Sequence, residues 1–215
     1  METLFIILAT VALVIVYRGR LKELADWFSG RSRSSYLEKT RKKLSGFEGY
    51  AATFWSEFPE QVLAGLLDIV KSVKGQDYVT DPSALNGIQD EIFCFIGDSL
   101  FRFLADIFGD ESAMVFIDEI RNRALYKYLL HNQRDAEAVT AIVSERSNQL
   151  RRFKTAAGTQ DGSSMIHHFS QHMSELITGN KKDALSVSLQ SFFTDLYKRD
   201  ITGMLQASFP NLQFK

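Results

Sequence analysis

Cysteine occurs once in this 215-residue chain, tryptophan twice and proline three times. The lone Cys94 rules out an intramolecular disulfide, which fits a reducing compartment, and its place within an apolar run marks it as an inert core residue. Strand signals are also missing. There is no sustained period-two alternation, and neither Asn86-Gly87 nor Asp161-Gly162 is flanked by β-branched runs. Nucleophile and nucleotide signatures are absent too: no Gly-x-Ser-x-Gly, no Walker loop, no Gly-x-Gly-x-x-Gly. Glu57-Phe58-Pro59-Glu60 supplies half of the acidic pattern of all-helical nucleotide pyrophosphatases, but no Glu-x-x-Asp follows it. No complete catalytic set remains, so the reading leans away from an enzyme.

An oily start is present instead. Thr3–Tyr17 carries no charge, and Leu4, Phe5, Ile6, Ile7, Leu8, Val11, Leu13, Val14, Ile15 and Val16 are the residues expected in lipid. Fifteen helical residues span about 22 Å, short of the roughly 30 Å hydrocarbon core, but Arg18 can snorkel to the headgroups. A buried core helix would normally show a polar face, and this segment has none. A cleaved signal peptide would want positive charge before the run, where Glu2 stands.

A cationic band follows. Nine Lys/Arg against three acids lie between Arg18 and Lys43. The positive-inside rule then expects a single-pass membrane protein with its N-terminus outside and its body in the cytoplasm. Arg18, Arg20, Lys22, Trp27 and Phe28 are the expected interfacial residues, since Leu21, Leu24, Ala25 and Phe28 share one helical face and Trp favours the lipid boundary. Gly30–Ser35 reads as a joint, and the cations of Tyr36–Leu44 can rest on anionic headgroups.

The body is acidic, with sixteen Lys/Arg against twenty-two Asp/Glu after Leu44, which argues against nucleic acid as its ligand. Helix punctuation is clear throughout. Pro59 is expected to open a helix that Gly75 ends. Asp81-Pro82 caps one that runs to Phe108 and stops at Gly109. Others are expected from Asp110 or Ser112 to His131, from Asp135 to Thr155, from Met165 to Thr178 before Gly179, and from Lys182 to Ser208. The expected fold is all-α: one N-terminal transmembrane helix and a soluble bundle of about six helices. The expected domains are an anchor at 1–17, a basic juxtamembrane segment at 18–46, the bundle at 47–209 and a tail at 210–215.

Within the bundle, Ile92–Phe108 is oily almost all round and reads as its central helix. Asp98, Arg102 and Asp106 recur at i, i+4 and i+8, a stripe expected to be that helix's wet edge. Asp195 and Arg199 echo the Asp98–Arg102 spacing. The acidic pairs Asp90-Glu91 and Asp118-Glu119 read as solvated faces, although facing carboxylates can hold Mg²⁺. Arg146, Arg151, Arg152 and Lys154 favour a helix C-terminus. His168, His172 and Glu175 share one face at i, i+4 and i+7, a spacing that can hold a transition metal; it is the one candidate cofactor, and Phe169 stands where a zinc protease carries Glu.

The function expected first is a membrane-anchored cytoplasmic adaptor or scaffold that binds a protein partner or assembles with itself. Two alternatives remain: a metal-dependent enzyme or sensor using His168, His172 and Glu175, and a helical pocket for a lipid or other apolar ligand, suggested by seventeen phenylalanines.

Overall fold

The computed structural model describes residues 44, 46–78, 80–132, 135–150, 162–181 and 183–210. The chain divides into two units, Met1–Ser45 and Gly46–Lys215. The expected membrane anchor, its interfacial residues and the basic cluster through Lys43 lie outside the described residues, as do Arg151, Arg152, Lys154, Asp161 and Lys182. Among the described residues, no helix is long and apolar enough to cross a membrane.

The second unit is an all-α bundle. Its elements are α1 (Phe47–Lys74), α2 (Pro82–Phe108), α3 (Asp110–Asn132), α4 (Ala136–Leu150), α5 (Gly162–Thr178), α6 (Ala184–Asp195), a π-helical segment (Leu196–Thr202) and α7 (Gly203–Ser208). The last three wind on without a break, so the elements form six rods. No strand occurs among the described residues.

Helix α1 corrects one expectation. Pro59 lies inside it rather than at its start. A proline there forfeits one backbone hydrogen bond and crowds the preceding turn, a local cost of about 3 kcal/mol. Packing outweighs that cost. The buried row Phe47, Ala51, Trp55, Pro59, Val62, Leu66 and Val70 runs straight through the proline. Outside that row, Tyr50, Phe54 and Phe58 stack at successive turns, with ring centroids 6.4 and 4.5 Å apart.

Helix α2 is the axis of the bundle. It packs against α1, α3, α4, α5 and the π-helical segment, and every residue from Ile88 to Ala105 is buried. The oiliest stretch of the body therefore occupies its centre, as its composition predicts. One close approach fixes α1 on it: the indole of Trp55 covers Gly97, and a Cβ there would lie 1.9 Å from the ring. Trp55 Nε1 donates to the Phe93 carbonyl at 2.7 Å, so the buried indole keeps its hydrogen bond.

Glycine stops the helices where the sequence places it. Gly109 alone joins α2 to α3, with φ of 82°, and its N–H donates to the Ala105 carbonyl at 2.8 Å. That left-handed conformation is strained for other residues and turns the chain back in one step. Gly179, with φ of 73°, ends α5 in the same way.

Candidate functional site

Helix α2 carries charge into the core, and each charge meets a partner. Arg102 Nε donates to Asp98 Oδ2 at 2.7 Å, with both side chains fully buried. The expected wet edge is thus sealed at Asp98 and Arg102, and only Asp106 emerges. The stripe lies along one face of α2, and the π-helical segment packs against that helix. Burial holds the Asp106 carboxyl above its ordinary range, and Arg102 partly offsets this. Tyr197, on the π-helical segment, faces the same charges, and burial pushes its phenol up to about 12.

The Asp90-Glu91 pair is also buried, against the expected solvated face. Tyr128 from α3 donates to Asp90 Oδ1 at 2.7 Å. Arg146 from α4 donates through Nε to Glu91 Oε1 at 2.7 Å. His172 from α5 brings Nε2 within 3.2 Å of the same oxygen, at ion-pair distance but off the line of a hydrogen bond. Glu91 Oε2 is buried with no protein hydrogen bond. One carboxylate thereby ties α2, α4 and α5 together. Cys94 lies beside it, and burial, then Glu91 and Asp90, raise its thiol pKa well above the usual value. The thiol stays protonated, as expected of an inert core residue.

The three residues singled out as metal ligands go separate ways. His172 turns toward Glu91, Glu175 pairs with Lys181 at 3.3 Å, and His168 is exposed. His167 lies 3.1 Å from Gln190 Oε1 on α6. Among the described residues, no group of three or more His, Cys, Asp or Glu side chains gathers to hold a metal ion. Residues of the other acidic motifs also find partners within the bundle. Asp118 pairs with Arg121 at 3.0 Å, and Glu60 lies 3.4 Å from His131. The Asp195–Arg199 echo does not repeat the buried pair: Arg199 clamps Asp200 instead, at 2.9 and 3.3 Å, and this hydrogen bonding raises the pKa of its guanidinium.

A cleft of about 580 Å³ opens between α1 and the α6–π–α7 rod. Phe58 and Val62 form one wall, and Phe192, Leu196 and Met204 the other. Gln61, Arg199 and Asp200 supply its polar groups. Gly65 lets the Phe192 ring close against the α1 backbone, where a Cβ would lie 3.4 Å away. The π-helical segment contributes Leu196, Arg199 and Asp200 to this cleft, and π-helical turns recur at functional sites. Apolar walls with a few polar groups at this volume are the usual make-up of a binding pocket. Sequence reasoning missed the site because its walls lie more than 120 residues apart. The unusual winding at 196–202 leaves no trace in the spacing.

No protein-family model, no curated protein and no solved structure matches the chain.

Proposed function

We propose that this protein is a membrane-anchored adaptor whose helical body docks an amphipathic helix of a partner protein in the cleft between α1 and the α6–π–α7 rod. The apolar run at Leu4–Val16 and its cationic flank support the anchor and a cytoplasmic body. The single observation that carries docking is the cleft itself. Its apolar walls can receive a row of side chains at i, i+3/i+4 and i+7 from a partner helix. Met204 and the two phenylalanines suit such a guest, because an unbranched thioether adapts to differently shaped side chains. The Arg199–Asp200 clamp offers both a donor and an acceptor to the polar edge of that helix.

The cleft volume also favours a second reading, an apolar small molecule or lipid chain as the occupant. One experiment separates the two. A photo-crosslinking amino acid is placed at Gln61 in the full chain, with exposed Val187 as the control position. Docking predicts a discrete protein adduct at 61, absent at 187, whose cross-linked peptide is amphipathic at helical spacing. The adduct should disappear when Met204→Glu charges the wall. Adducts to lipid alone select the second reading, and no adduct at either position contradicts both.

A further inference from the structure

The last helix delivers the chain to a point close to the cleft. The α6–π–α7 rod runs antiparallel to α1: Phe192 closes on Gly65, Met204 lines the cleft with Phe58, and Ser208 Oγ lies 3.5 Å from the Tyr50 hydroxyl. Phe209 then ends the helix, its ring edge-on to Phe47 and Tyr50 with centroids 4.9 and 5.6 Å away. Pro210 cannot continue the winding. From there the stacked row Tyr50, Phe54 and Phe58 leads back along α1 to the cleft, where Phe58 is part of the wall. All three rings are only half-buried, so the row keeps open apolar surface.

We propose that the residues after Pro210, Asn211 to Lys215, fold back over this row and seat Phe214 at the mouth of the cleft when no partner is bound. The tail is then a built-in competitor, a regulatory role that rests on the docking reading above. Length and spacing select it. Tyr50 to Phe58 is two turns of helix, about 12 Å. An extended chain from Phe209 to Phe214 reaches about 17 Å at most. Leu212 and Phe214 alternate with polar residues, so an extended tail presents both on one side. Two extended residues advance about 6.6 Å, and four helical residues about 6 Å. Leu212 therefore meets Phe54 as Phe214 meets Phe58. A tether this short holds the tail beside the row at an effective concentration in roughly the millimolar range. Two apolar side chains then suffice for a weak contact, which a partner helix filling the whole cleft displaces.

Cysteine cross-linking within the full chain, purified in detergent, tests the seat. A short bismaleimide should join Gln61→Cys to Phe214→Cys inside one chain. Val187→Cys should not join Phe214→Cys, because Val187 lies one turn past Asp183, which pairs with Lys74 at the far end of α1. Cys94 is buried and serves as the silent background. Adding Leu212→Glu should cut the 61–214 yield at least fivefold, because a carboxylate does not rest on the Phe54 ring. A loose tail would cross-link equally with and without that charge, and this result would overturn the proposal. A 61–214 link between two chains, seen as a dimer, would overturn it equally. In cells, Leu212→Glu with Phe214→Glu should raise the partner adduct of the photo-crosslinker at Gln61 at least threefold. An adduct of unchanged yield would leave docking intact and overturn the tail as its competitor. A 61–214 cross-link with no partner adduct from either form would support the seated tail and contradict docking instead. The substituted tail positions follow the last helix, so melting should be unchanged.

Discussion

Helices α2 and α3 are neighbours of similar length, joined by one glycine, and they use charge in opposite ways. Helix α2 takes Asp90, Glu91, Asp98 and Arg102 into the core and matches each to a partner. Helix α3 carries more charges but keeps them outside, sorted by sign. The difference lies in what each arrangement can do. A buried charge tolerates only one geometry, so it fixes which helices meet and in what register. An exposed charge contributes little to the fold and leaves that choice open.

Removing a buried charge should have the largest effect. Arg102→Ala strands the Asp98 carboxylate in the core and should cost about 3–5 kcal/mol in urea unfolding. Replacing both members, Asp98→Leu with Arg102→Met, should recover most of that loss, because an apolar pair needs no solvation. A double variant as unstable as the single one would place the cost in packing instead. A smaller effect belongs to the inward side of α3. Tyr128→Phe keeps the ring tilted against Phe93, at 4.5 Å between centroids, and removes only the hydroxyl that donates to Asp90. It should cost about 1–3 kcal/mol. A loss within experimental error would show that Asp90 does not depend on α3.

Much of this fold could be read in the sequence, and the exceptions have physical reasons. Gly109 and Gly179 end helices because a positive φ breaks the winding wherever it falls. Ile92–Phe108 was legible as the central helix because apolar residues surround most of it and its charges are confined to one stripe. Pro59 misled, because a local rule counts the lost hydrogen bond and not the buried row, Phe47 to Val70, that runs through it. The Asp98–Arg102 spacing announced the pair but not its burial, which depends on helices distant in sequence that surround α2. The Arg146–Glu91 contact spans 55 positions, beyond the reach of any helical period. The histidine cluster shows the same limit. Spacing put His168, His172 and Glu175 on one face, but α2 and α4, distant in sequence, supply the Glu91 and Arg146 beside His172.

Hydrogen exchange on the intact chain, followed by mass spectrometry, tests the central place of α2 most directly. Amides of Ile92–Leu104 should exchange only through global unfolding, at the free energy measured in urea, while those of the peripheral helix α4 open more readily. Protection of α2 no greater than that of α4 would contradict the account, since the buried charges would then not lie in the last part of the molecule to open.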